Sequence, residues 1–136
     1  MSKGSSHLFP GTSGAGRALI EEIIANGEKI SPEKVVMITR DPKGKIVWLE
    51  TGTDRSGLKH IIDAHGNDFK SKGISNENIP DYVLEAVYQG KIVGTQGKRD
   101  PRTIYEFKYN GVVQRIAVQV SENGYIVGAN PKSMKG

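Results

Sequence analysis

Apolar residues in this chain fall into short runs, and their spacing changes partway along. In Arg17 to Asn26, Leu19, Ile20, Ile23 and Ile24 recur at helical spacing, and Gly27 follows as a stop. Lys34 to Arg40 and Lys45 to Thr51 read as two strands around the turn Asp41-Pro-Lys-Gly44. Leu58, Ile61, Ile62, His65 and Phe69 form a second helical stripe. Asp54 or Ser56 is its expected cap and Gly66 its expected stop. A third helix is predicted from Ile79 to Gln89, with Val83, Leu84 and Val87 facing the core.

After Gly90 the pattern becomes that of strands: Lys91 to Gln96, Thr103 to Tyr109, Val112 to Val120 and Tyr125 to Ala129. Asn110-Gly111 and Glu122-Asn123-Gly124 read as the hairpin turns between the last three. Helices followed by a meander predict an α+β domain, with N-terminal helices packed on one face of a C-terminal four-stranded antiparallel sheet. Residues 1–15, rich in Gly and Ser, are expected to be a flexible lead-in or linker, and residues 16–136 a single domain.

Charge changes the picture more than size does. Residues 1–90 hold 11 Lys and Arg against 12 Asp and Glu, and residues 91–136 hold 8 against 3. A basic sheet half on an otherwise balanced chain favours a polyanionic partner. The chain has no cysteine, so disulfides, thiolate catalysis and sulfur-ligated zinc are excluded. No apolar run approaches the roughly 18 residues of a membrane span, and Met1 to Gly16 lacks the apolar core of a secretory signal. Gly11-Thr-Ser-Gly-Ala-Gly16 has neither the preceding strand nor the Gly-Lys-Ser/Thr ending of a phosphate loop.

Two of the three histidines, His60 and His65, sit with Lys59 on the predicted second helix. Histidine titrates near neutrality and is the usual carrier of protons in catalysis. Five residues apart, the two are separated by about 140° around a helix, so they do not share a face. That spacing does not suit a zinc pair, and no metal or cofactor is expected. His65 lies within the apolar stripe, where a structural histidine is the plain alternative, whereas His60 points away from it. Downstream, the loop Gly94 to Arg102 carries Lys98, Arg99 and Arg102, cations able to hold a phosphate. Thr103 and Tyr105 share one sheet face; on the next strand Val113, Arg115, Ala117 and Gln119 share another. Asn130, Lys132 and Ser133 place an amide, a cation and a hydroxyl at the end of the last strand. A histidine helix beside a basic antiparallel sheet points to a small metal-independent ribonuclease.

His60-Ile-x-x-x-His65 on an early helix, Arg102-Thr-x-Tyr105 opening a basic strand, and the ending Gly124-Tyr-Ile-Val-Gly-Ala-Asn-Pro131 together resemble the barnase–EndoU–colicin–RelE-like nuclease superfamily. Within it, the chain looks most like the C-terminal toxin domains of bacterial contact-dependent and polymorphic toxins. The resemblance covers about residues 34–133. It implies a metal-independent endoribonuclease toxin that cleaves RNA, with tRNA as the expected substrate, by attack of the 2′-hydroxyl. It implies His60, His65, Arg102, Thr103, Tyr105 and Arg115 as catalytic. Lys59, Lys98, Arg99, Asn130, Lys132 and Ser133 would then bind substrate. It also implies delivery from the cell surface or by secretion as part of a larger protein, action in the target-cell cytoplasm, and a cognate acidic immunity protein. The isolated domain is expected to be a monomer. One departure is Gly128, where relatives commonly carry Thr or Ser on the last strand. Two other readings stay open. The basic half alone is explained by a nucleic-acid-binding module without catalysis. An NAD-dependent ADP-ribosylating toxin would need a strand glutamate, for which Glu106 is the mid-strand acid present.

Overall fold

The computed structural model describes residues 7–99 and 101–133. Its elements run β1 (Phe9–Pro10), α1 (Gly14–Ala25), β2 (Val35–Arg40), β3 (Ile46–Glu50), α2 (Gly57–Lys70), α3 (Ile79–Gln89), β4 (Lys91–Gln96), β5 (Arg102–Tyr109), β6 (Val112–Val120) and β7 (Ile126–Lys132). The fold is α+β. The four-stranded antiparallel sheet β4-β5-β6-β7 is the expected C-terminal meander, and a second antiparallel sheet, β1-β2-β3, accompanies it. α1 falls between β1 and β2, and α2 and α3 between β3 and β4, so the helices are not strictly N-terminal.

The expected lead-in is shorter than its Gly and Ser content indicates. Leu8 is buried in the main core and Phe9–Pro10 pairs with β2, so the chain is part of the fold from there on. An average over the segment's composition conceals this Leu-Phe pair; the part of the expected lead-in before His7 lies outside the described residues. Ser13 begins α1, its hydroxyl accepting from the Gly16 N–H at 3.0 Å. Leu19, Ile20 and Ile23 pack with Val35, Ile38, Ile46 and Trp48 in a satellite core. Ile24, expected on the same stripe, is 52% exposed. β3 is buried along its whole length because its two faces serve two cores. Ile46 and Trp48 face the α1 cluster, while Val47 and Leu49 join the main one.

α2 runs through Gly66 to Lys70, past the expected stop. Mid-helix glycine costs about 1 kcal/mol relative to alanine, and the burial of Phe69 in the next turn offsets it. Ser56 stands at the N-cap but makes no side-chain cap; its hydroxyl pairs instead with the Tyr125 hydroxyl at 2.8 Å.

α3 is the middle layer. Ile79, Tyr82, Val83, Leu84, Ala86 and Val87 are all buried, because the helix packs on β2 and β3 on one side and on β5 and β6 on the other. Tyr82 meets Phe69, Phe107 and Tyr109 edge-on at centroid distances of 5.7, 5.0 and 4.9 Å. Its hydroxyl donates to Gln114 Oε1 at 3.1 Å. The two sheets meet where Trp48 N–H donates to the Gly124 carbonyl at 3.0 Å. Gly124 has φ +105°, and a Cβ there would lie 2.1 Å from the Ile46 carbonyl oxygen, so glycine is required at this junction.

Burial pushes the Tyr82 phenol up to about 12. The folded state then holds this proton more tightly than the unfolded chain, whose phenol titrates near 10. The resulting stabilisation is fully present below pH 10 and is lost as pH rises from 10 towards 12. We expect denaturant titrations to lose on the order of 2 kcal/mol of stability across that window. Tyr82→Phe should reduce the loss, leaving the part that belongs to Tyr105 and Tyr109, whose burial also raises their pKa; an unchanged slope in that variant would contradict the assignment to Tyr82.

Candidate nucleic-acid interface

Side chains alternate across a strand, so one buried residue fixes the parity of all its neighbours. Phe107 is that residue on β5. It packs against Tyr82, and with it Tyr105 and Tyr109 turn toward the core, as Ile116 and Val118 do from β6. The opposite parity builds the outer face. Its register is given by the pairings Gln96↔Arg102 and Gln119↔Gly128 in one row, and Gly94↔Ile104↔Ala117↔Asn130 in the next. A third row is Lys91↔Glu106↔Arg115↔Lys132, and Lys108↔Val113 lies beyond it. Five cations and one carboxylate thus share this face. Successive rows lie about 7 Å apart along the strands, a spacing comparable to that of phosphates along a single nucleic-acid strand.

The cations of this face differ in their partners. Arg115 Nε donates to Glu106 Oε2 at 2.9 Å, and both side chains are about 30% exposed (30% and 28%). Arg102 has no carboxylate partner among the described residues; its Nη1 donates to Asn130 Oδ1 at 3.0 Å. Partial burial lowers the Arg102 pKa from its ordinary value, though an arginine remains charged at any physiological pH. Gln96 Nε2 reaches the same Asn130 oxygen at 3.5 Å, while Gln96 Oε1 is buried without a hydrogen bond.

Thr103 and Tyr105 were expected to join Arg102 at a phosphate. Strand parity puts them on the core-facing side, so they and Arg102 point to opposite faces. Tyr105 packs against the core, and burial raises its pKa. Lys98 and Arg99 are exposed in the loop between β4 and β5, at the end of the face where Arg102 lies. Lys132 belongs to the third row, and Ser133 is exposed just past β7. Glu106, Gln96 and Gly128 complete the face, and the parity of positions 102, 104 and 106 was the signal that could have found Glu106.

The helix histidines make their hydrogen bonds locally. α2 packs along β7, with Ile61 and Phe69 in the same core as Ile126 and Ala129. His60 Nδ1 lies 3.1 Å from the Asp54 carbonyl oxygen. A carbonyl only accepts, so this bond requires the proton on Nδ1; in a neutral ring Nε2 then keeps its lone pair, as a general base needs. His65 Nδ1 bonds Asp68 Oδ2 at 2.9 Å, which orients its ring; the side chain is 30% exposed. Neither imidazole is hydrogen-bonded to the sheet, and α2 packs against its core side, so no described contact brings the histidines together with Arg102. Lys59 is paired with Asp63 at 2.8 Å; that hydrogen bond first, then the carboxylate's charge, raises its pKa. His7, outside the expected site, stacks on Tyr88.

A cavity of about 630 Å³ beside α2 is lined by Asp63, Asp68 and Glu77 together with Asn67, Asn76 and Lys70. Three carboxylates against one lysine make this lining unfavourable to a polyanion. No group of three metal-ligating side chains converges among the described residues. Nor is any described helix long and apolar enough to cross a membrane. No protein-family model matches this chain, and no curated protein matches it either.

Proposed function

We propose that the protein is a metal-independent endoribonuclease whose substrate lies on the outer face of the four-stranded sheet. The observation that carries this reading is Arg102: a partly buried guanidinium with no carboxylate partner among the described residues, on a face of five cations and one acid. A desolvated, uncompensated cation is suited to a phosphate, and more strongly so than an exposed one. Arg115 and Lys132 offer positive charge two rows further along.

In the reaction, the ribose 2′-oxygen attacks the adjacent phosphorus and its proton passes to a base. The bond from phosphorus to the 5′-oxygen breaks, and an acid protonates that oxygen. The products are a 2′,3′-cyclic phosphate and a 5′-hydroxyl. Arg102 would stabilise the charge on the phosphorane. His60 and His65 are the proposed proton carriers: each directs Nδ1 at an oxygen acceptor, so either ring, when neutral, keeps Nε2 free to act as base. We extend the reading to a toxin that acts on tRNA in a target cell and is held inactive by an acidic immunity protein. A cationic face is readily blocked by carboxylates, and complementary charge speeds capture. The rival reading, a binding module without catalysis, shares the face but not the products.

The purified protein should cleave RNA in EDTA, leave cyclic phosphate ends and spare DNA. A strict requirement for added Mg²⁺ or Zn²⁺, or intact RNA in cells arrested by its expression, would contradict the proposal. Paired kinetics and binding should then separate chemistry from affinity. His60→Ala is expected to slow cleavage about 100-fold or more with RNA affinity within a few-fold. Arg102→Ala should weaken both, and should lower the salt dependence of binding by about one counterion. A folded protein lacking both His60 and His65 that cleaves at the wild-type rate would remove the histidines from the mechanism.

A further inference from the structure

We infer that Gly128 and Asn130 of β7 form a neutral seat that holds the Arg102 guanidinium open to an anion. The geometry is unusual for an arginine in mid-sheet. Arg102 starts on β5, and its head group lies over β7, two strands away, so the side chain stretches across β6. Ala117 of β6, on the same face, is fully buried, consistent with cover by its long neighbours. At β7 the guanidinium meets Asn130 Oδ1, 3.0 Å from Nη1. It also fills the space that a side chain at 128 would occupy: a Cβ on Gly128 would lie 2.9 Å from Nη2 and 3.3 Å from Cζ.

Among the described residues, every group holding the guanidinium is uncharged. Of its five N–H donors, the hydrogen bond to Asn130 uses one. The contrast with Arg40 and Arg115 is direct, since each bonds a carboxylate. An aspartate at position 130 would fit the same space and neutralise Arg102; asparagine orients it without doing so. The second sign of a specialised seat is Gln96. Its Nε2 is directed at Asn130, and the other end of the amide, Oε1, is buried with no hydrogen bond. Buried orphan acceptors are rare and costly, and this one lies beside the arginine's anchor. The ligand this arrangement fits is a phosphodiester oxyanion, which can accept two parallel N–H bonds from one guanidinium. The inference rests on the ribonuclease reading only for the identity of that anion. Gly128 and Asn130 are positioning residues, acting through Arg102.

The test uses a 2′-O-methyl oligoribonucleotide, which cannot be cleaved through its 2′-oxygen, with binding followed by fluorescence anisotropy and folding by thermal melts. Asn130→Asp should melt at or above the wild-type temperature, yet bind the probe at least tenfold more weakly, with a salt slope lower by about one. Gly128→Ala should weaken binding several-fold in the wild-type background and have no effect in the Arg102→Ala background. That non-additivity distinguishes action through Arg102 from a general disturbance of the strand. Should one variant fail to fold, the other carries the test. Asn130→Asp binding within twofold of wild type, or equal losses from Gly128→Ala with and without Arg102, would overturn the inference, as would a wild type that does not bind the probe. The two readings fail separately. If the probe binds as described but RNA is never cut, the seat stands and the ribonuclease falls. If RNA is cut and Asn130→Asp binds and cuts normally, the reverse holds.

Discussion

The burial of Tyr82 between Phe69, Phe107 and Tyr109 sets the geometry of everything downstream of α3. It fixes which parity of β5 belongs to the core. Through the antiparallel register, it fixes the same for β4, β6 and β7. A slip of one residue would carry every aromatic of β5 to solvent and every cation of the outer face into the core, which burial energetics forbid. The charged face is therefore a consequence of the packed one. The sheet can present Arg102, Arg115 and Lys132 together because Phe107, Ile116 and Ala129 are committed to the other side.

Within that face, charge is treated in two ways. Arg115 is paired with Glu106 across neighbouring strands, an arrangement that supports a sheet. Arg102 is drawn across a strand, partly buried, and given amide partners only. Desolvating a cation without an opposing charge is unfavourable for the isolated fold, and a bound anion would offset it. This difference between two arginines on one face, more than the total charge, is what the proposal of a binding surface rests on.

Much of this was legible in the sequence, and the rest has identifiable physical reasons. α3 and the strands β4 and β6 match their predicted limits, because long periodic runs bounded by Gly90, Asn110-Gly111 and the turn before Tyr125 leave little freedom. Gly66 misled because a buried Phe69 outweighs a glycine's low helix propensity. β1 was hidden because two residues carry no periodicity. Of the residues expected at the site, Arg102, Arg115, Asn130 and Lys132 share one sheet face. Thr103 and Tyr105 do not join them. Adjacent positions in sequence looked like neighbours in space, whereas strand parity separates them. The partners that define Arg102 come from β4 and β7, and only the register brings Gln96, Gly128 and Asn130 to it. The departure at Gly128, read at first as a missing hydroxyl, is in the fold the space the guanidinium fills.

The central claim is that the outer face of β4 to β7 receives the nucleic acid. It is tested most directly by mapping backbone amide chemical shifts while a short uncleavable RNA is added. Perturbations should concentrate on Gln96, Arg102, Ile104, Ala117, Gln119, Gly128 and Asn130, and fade toward the acidic cavity beside α2. Shifts gathered around Asp63, Asp68 and Glu77, or an absence of shifts with the RNA in large excess over the protein, would contradict the account.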